Sequence, residues 1–330
     1  MIHNAFEQQQ LLPYTEVDLL IRGTSRSVGF SVTPISTNTH LLYLLIARDV
    51  TTLREATSAK TKFLSMVTHE LRSPLNAMLG YLDLLLTGVG GELNAQQLEF
   101  AQRARAGSEH LYALLEDLLL ISRADTGQLR LNRQQADIQE IITDALEELE
   151  VTAVDNQVTV TVDFADELPL LHIDPVRIQQ VLRNLISNAL RFTSPGGAMS
   201  IRAHLVDDLQ DADRRIPAPQ AGFPIYRVPQ ADAGATPTAP STTSNTAWVE
   251  VQIRDTGCGI ALEYQQRIFE RFYQAPRATT GRAGGQGLGL AVVKLIVELH
   301  GGQVVIESVP DQGSTFSFRL PCKGKESQPF

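Results

Sequence analysis

The sequence predicts a multidomain chain in which an all-α helical hairpin is followed by an α+β sandwich, and three features of the residue pattern carry that expectation. From Thr52 to about Leu86 apolar residues return every three or four positions, at Leu64, Val67, Leu71, Leu75, Met78, Leu82 and Leu85, the period of a helix with one dry face. A second helical stretch from about Asn94 to Arg123 carries Leu111, Leu114, Leu115, Leu118 and Ile121 as its stripe, and Gly88, Gly90 and Gly91 separate the two. Beyond Gly127 strand-like and helical segments alternate, which builds a sheet with helices on one face.

The hairpin, expected over residues 52–127, has an apolar face that it cannot cover alone. Pairing two hairpins into a four-helix bundle covers it, so a homodimer is expected. In residues 128–322 strands are expected at Val158–Phe164, Met199–Val206, Trp248–Arg254, Val304–Ser308 and Thr315–Leu320, with helices at Pro175–Phe192 and Leu288–His300. Gly301 and Gly302 end the last helix as glycine does at a C-terminus. Residues 207–246 are rich in Pro, Ala, Thr, Asp and Gln, and so long a stretch reads as a mobile insertion without regular structure. The strand after it runs toward Asp255, which sets the insertion about 20 Å from that residue, given the rise of a strand. Residues 323–330 are expected as a flexible tail.

Ahead of the hairpin, residues 1–51 carry strand character from Val17 to Arg22 with continuation to Ile35, and again over Leu41–Asp49, across the turn-rich Ser36–Thr39. Two or three strands do not close a core of their own. This segment resembles the last strands of a PAS sensor domain, about half of one, and is expected as a partial PAS-like piece.

Composition narrows the function classes. With 330 residues, 43% hydrophobic and 20% charged, the chain has material for two or three cores. A net charge of -9 opposes nucleic-acid binding, which needs a basic footprint. Cys258 and Cys322 are the only cysteines and stand far apart, so no disulfide framework or cysteine zinc site is expected. The apolar run Leu41–Ala47 is far below the roughly 20 residues that span a bilayer. A cytoplasmic location without membrane contact is expected for these residues, and a membrane-associated parent is left open.

Chemistry-bearing residues fall in a few short runs. His69-Glu70-Leu71-Arg72-Ser73-Pro74-Leu75 lies in the first long helix. Glu70 is placed to take a proton from one imidazole nitrogen while the other attacks phosphorus. Ser73, four residues on, shares the helix face of His69, and Pro74 cannot donate to the carbonyl of Glu70, so a bend is expected there. On the helix 175–192 the apolar stripe Ile178, Val181, Leu182, Leu185, Ile186, Ala189 is distinct from a polar stripe of Asn184, Asn188 and Arg191, able to hold a hydrated Mg²⁺ and the phosphates it bridges.

Asp255-Thr256-Gly257-Cys258-Gly259-Ile260 closes a strand with a carboxylate able to accept the amino proton of adenine, beside glycines that let backbone pass close. Gly285-Gln286-Gly287-Leu288-Gly289 opens a helix whose free N–H groups suit phosphate. Between them Ile268–Gln274, with Phe269 and Phe272, is expected to dock a movable lid over Gln274–Gln286.

Taken in this order, the runs resemble the sensor histidine kinases of two-component systems over roughly residues 52–322. The first run is similar to their phosphoacceptor box, with Ser73 where Thr or Asn is usual. The resemblance implies a fold shared with gyrase, the HSP90 chaperones and mismatch-repair ATPases, the GHKL or Bergerat type, with ATP and Mg²⁺ as cofactors. It implies His69 as the phosphorylated residue, Glu70 as base, and a role for Ser73 in dephosphorylating the partner. Asn188 becomes the metal ligand, supported by Asn184. Arg191 stands for the common Lys near the phosphates and Phe192 for the common Tyr beside the nucleotide. Asp255, Gly257, Gly259, Ile260, Phe269, Phe272, Gly285, Gly287, Leu288 and Gly289 complete the nucleotide site. The implied partner is the receiver domain of a response regulator, whose aspartate takes the phosphoryl group. The ATPase part is expected to swing on Ser122–Leu129, within one chain or across the dimer. Two other readings are an ATP-hydrolysing conformational machine and a non-catalytic scaffold; intact nucleotide runs oppose the second, and His69 beside Glu70 opposes the first.

Overall fold

The computed structural model describes residues 12–21, 24–36, 41–165, 167–206, 225–227, 247–276 and 287–322. The expected tail 323–330 and the greater part of the expected lid lie outside them. The chain forms two compact units: the described residues up to Glu109 with Asp125–Gly127, and His110–Ala124 with the described residues from Gln128 onward.

In the first unit β1 (Leu12–Ile21), β2 (Thr24–Ser36) and β3 (Leu41–Asp49) form an antiparallel meander with β2 in the centre. The sheet leads directly into α1 (Thr51–Leu86). Val50 N–H donates to Ser27 O at 2.9 Å and Arg54 pairs with Asp18 at 2.7 Å, so the first turn of the helix is tied to the sheet. Helix α1 continues through Pro74 without interruption. Thr87 ends it, and α2 (Ala95–Asp125) starts on a reciprocal cap in which Gln97 N–H donates to Asn94 Oδ1 and Asn94 N–H to Gln97 Oε1. Each partner satisfies a donor that the first helical turn leaves open. Phe63, Met66, Leu71, Met78, Tyr81, Leu84 and Leu85 are exposed on α1.

The second unit holds a six-stranded sheet in the order β5-β7-β9-β11-β10-β8, from β5 (Thr159–Phe164), β7 (Ala198–Val206), β8 (Ile225–Arg227), β9 (Trp248–Asp255), β10 (Gln303–Val309) and β11 (Gly313–Pro321). Only β5 and β7 run parallel; the other pairs are antiparallel. A two-stranded sheet of β4 (Gln134–Ala136) and β6 (Leu171–Ile173) stands apart. Helices α3 (Ile138–Asp155), α4 (Pro175–Phe192) and α6 (Gly289–Leu299) share one core with the inward residues Met199, Ile201, Val251, Ile253, Ile306 and Phe318.

Helix α3 is absent from the expected elements, although Ile138, Ile141, Ile142 and Ala145 are its buried stripe and Asp137 caps it by accepting from Gln139 N–H at 2.8 Å. Within 207–246, expected to lack regular structure, Ile225–Arg227 form β8 against Val305–Glu307. The edge of β10 offers unpaired backbone groups, and a β-prone Ile-Tyr-Arg run satisfies them; the rest of that stretch lies outside the described residues.

Leu120 and Ile121 of α2 lie in the same core, and Asp117 accepts from Gln180 Nε2 of α4 at 2.8 Å. The last turns of α2 thus belong to the second unit. The two ends of the α4 and α6 pair are joined as well. Asp174 caps α4 and its own N–H donates to His300 Nε2 at 3.0 Å, while His300 Nδ1 donates to Ile296 O at 2.8 Å.

Leu182 has no exposed surface. Leu182→Ala is expected to lower the stability of the second unit by about 2–5 kcal/mol through lost burial and the cavity left behind, measured as an earlier denaturant transition of that unit.

Candidate active site

On α1, hydrogen-bonded turns carry His69 and Glu70 to the surface, with side chains 81% and 77% exposed and Nδ1 to Oε1 at 3.6 Å. That separation exceeds a hydrogen bond, yet Nδ1 is the ring nitrogen that stands against the carboxylate. Thr68, one residue earlier, is buried and donates to Leu64 O at 2.9 Å, so the helix turns a dry face inward immediately beside the imidazole. Ser73 is exposed.

In the second unit, α4 sets out the polar stripe. Its opposite face, Ile178, Val181, Leu182, Leu185, Ile186 and Ala189, is buried, so Asn184, Asn188 and Arg191 are confined to the remaining side. Arg191 donates from a terminal guanidinium nitrogen to Asn188 Oδ1 at 2.7 Å and lies 5.0 Å over the Phe192 ring. Asn184 Nδ2 donates to Gly289 O at 3.3 Å, which joins α4 to the start of α6. Sequence reasoning gave Asn184 no such link, because it depends on two helices 105 residues apart meeting.

Asp255 ends β9 and is buried. Gly257 N–H donates to its Oδ1 at 2.7 Å, and the backbone N–H of Ser314 donates as well. Burial pushes its carboxyl up to about 6, against the lowering effect of those two donors and of Arg254. Ser314 was missed in the sequence; its signal was a glycine, Gly313, at the head of an otherwise regular strand.

Phe269 and Leu288 are in the hydrophobic core, Phe269 edge-on to Phe316 at 6.4 Å between centroids, so they support the site from beneath. Phe272 is exposed and adopts φ +62, its N–H donating to Gly287 O at 2.9 Å. Gly287 has φ +73, and a Cβ there would stand 2.6 Å from Tyr273 O, so only glycine lets the segment before α6 lie against the aromatic segment. Ile260 packs against the core edge. Gly285 and Gln286 lie outside the described residues.

A sheet backed by α3, α4 and α6, with a carboxylate at a strand end and a glycine-led helix beside an asparagine stripe, defines an ATPase-type fold; the other unit presents an exposed histidine on a helical hairpin. Comparison with known families agrees: residues 173–324 match the histidine kinase-, DNA gyrase B- and HSP90-like ATPase family, and residues 59–127 match the His Kinase A (phospho-acceptor) domain. The chain carries both domains. It is 31% identical over 268 residues to the circadian input-output histidine kinase CikA of Synechococcus elongatus, covering 81% of this chain and 30% of CikA. It is 29% identical over 316 residues to the alginate biosynthesis sensor protein KinB of Pseudomonas aeruginosa, covering 95% and 46%. The crystal structure of full-length ShkA in complex with AMPPNP superposes with a TM-score of 0.56 at 25% identity, covering 80% of this chain and 46% of ShkA. The chain thus spans less than half the length of these relatives. Among the described residues no helix is long and apolar enough to cross a membrane.

The raised Asp255 value has a definite sign. Folded Asp255 takes up a proton as pH falls through about 6, whereas in the unfolded chain it does so only near the ordinary carboxyl value of 3.8, so acid over that window stabilises the unit while removing a charge-assisted acceptor. Affinity for adenosine, which has no titrating phosphate, is expected to fall as pH drops through 6. Asp255→Asn should bind weakly with no such inflection, as titration calorimetry between pH 5 and 8 can read.

Proposed function

We propose that the protein is a histidine kinase that uses ATP to phosphorylate His69 and then passes the phosphoryl group to an aspartate on the receiver domain of a response regulator. The observation that carries this reading is the pairing, in one chain, of an exposed imidazole flanked by a carboxylate with an ATPase-type domain. The ShkA complex with AMPPNP supports a nucleotide site in the matched domain.

In the chemistry proposed, His69 Nε2 attacks the γ-phosphorus, the bond to the ADP oxygen breaks, and Glu70 takes the Nδ1 proton after closing about half an ångström. Ser73, on the same exposed face, serves the return of phosphate to water from the partner. Asn188 supplies an amide oxygen to Mg²⁺. Among the described residues no cluster of His, Cys, Asp or Glu is built to cage a metal, and one neutral oxygen suits an ion that keeps its waters and phosphate oxygens. Held there by Asn188, such an ion would supply charge neutralisation to the phosphates. Arg191 releases Asn188 for that role and turns its charge to the phosphates, Phe192 flanks the nucleotide, and Asp255 accepts from adenine with Gly257, Gly259 and Ile260 beside it. Gly287 and Gly289 let the head of α6 approach the phosphates.

Residues 52–127 act as the dimerising and phosphoacceptor hairpin, 128–322 as the ATP-binding domain, and 1–51 as a PAS-like remainder. The exposed Phe63, Met66, Leu71, Met78 and Leu85 of α1 offer apolar surface of the kind that a second hairpin covers. Sedimentation at micromolar concentration is expected to give the mass of a dimer, and Leu71→Glu with Met78→Glu to give a monomer.

Incubation with γ-labelled ATP should leave acid-labile, base-stable label on the wild-type protein and none on His69→Gln. Phosphate released to the medium with no label on protein would instead mark an ATP-hydrolysing machine. Asn188→Ala should slow labelling about 100-fold, the scale of losing metal-assisted charge stabilisation. Mixing His69→Gln with Asn188→Ala restores label only when transfer crosses the dimer.

A further inference from the structure

Two buried polar side chains outside the site grip the loop that follows Asp255. Ile260 N–H donates to Ser308 Oγ at 2.8 Å, and Ile260 O accepts from Gln265 Nε2 at 2.9 Å. Both backbone ends of one loop residue are thus held by side chains, from β10 and from α5 (Leu262–Gln265). Gln265 Nε2 also donates to Ser308 O at 2.8 Å, and Ser308 Oγ donates to Gly313 O at 3.0 Å and lies 2.9 Å from Ser314 Oγ. Ser314 is the residue whose N–H reaches Asp255. Ser308 is 1% exposed and Gln265 has no exposed surface.

The same loop is pressed onto the turn between β10 and β11. Asp311 N–H donates to Cys258 O at 2.8 Å. Gly259 has φ +64, and a Cβ there would clash with Val309 O, so the backbone sits flat against its neighbour.

Burying an amide and a hydroxyl costs free energy that an aliphatic pair of the same volume avoids. What such a pair lacks is direction: hydrogen bonds fix the loop to within tenths of an ångström, where apolar packing lets it slide. We propose that Ser308 and Gln265 are positioning residues for base recognition, holding Asp255 and the Gly257–Ile260 backbone in the register that accepts adenine and refuses guanine. This rests on the ATP-site reading above. Asp255 accepts the amino donor of adenine, while the carbonyl at the same place on guanine faces it with a second acceptor; a loop free to shift relaxes that distinction.

The test is the ratio of ADP to GDP affinity, measured by calorimetry at pH 8. In Ser308→Ala and Gln265→Met, ADP affinity should fall about 10-fold or more, the scale of losing one or two buried hydrogen bonds, while GDP affinity changes little, so the ratio shrinks. Ser308→Thr keeps the hydroxyl and should retain most of the preference. A role confined to stability would lower the melting temperature and leave the ratio intact, which would overturn the proposal. Wild-type protein that binds neither nucleotide would reject the ATP-site reading itself. If the variants do not fold, amide exchange on the wild type decides: Ile260 N–H should be protected like a core strand amide, and exchange at the rate of an open loop would reject the grip.

Discussion

The dry face of α4 governs where the polar groups of the second unit can stand. Ile178, Val181, Leu182, Leu185, Ile186 and Ala189 are all within 3% of complete burial, and that much apolar surface leaves the helix one rotational setting on the sheet. Asn184, Asn188 and Arg191 lie about a third of a turn away and are held at the margin of the core, half in water. The metal-holding role proposed for Asn188 needs that margin: an amide oxygen further in would be dehydrated for nothing, and one further out would have no fixed direction.

Around this helix the remaining parts are joined end to end. Asp174 and His300 bind the start of α4 to the end of α6, and Asn184 binds the middle of α4 to Gly289 at the start of α6. Asp255 is fixed by backbone donors from its own loop and from β11. The links at His300 and Asp255 are buried hydrogen bonds, so each is costly to leave unmade. The surroundings of Asp255 are therefore stiff.

The histidine unit works on the opposite principle. His69 is not held by burial or by a network; it stands in solvent on a helix whose inward turn is anchored by Thr68 and Leu75. In the role proposed for it, as a nucleophile that meets a nucleotide and then a second protein, it has to be reachable from outside, and a helix surface offers rigidity without enclosure. The carboxylate next to it travels on the same turn, so the pair keeps its relation whichever partner approaches.

Much of this was legible from residue order. Periodicity located α1, α2 and α4, since an apolar stripe of period 3.6 is a local property, and the glycine pair Gly301-Gly302 marked the end of α6; the short runs around His69, Asn188, Asp255 and Gly287 stand at the helix faces and strand ends expected of them. Helix α3 escaped notice although Ile138, Ile141, Ile142 and Ala145 repeat at the same period, and β8 was hidden in a stretch whose composition favours coil. Residue order alone was enough to say which faces must be dry and which residue types are able to bear chemistry, because both follow from side-chain type and local spacing. Only the tertiary structure decided that Asn184 meets Gly289, that Ser308 and Gln265 hold Ile260, and that burial lifts the carboxyl of Asp255, because hydrogen bonds and desolvation depend on which distant segments the sheet brings into contact.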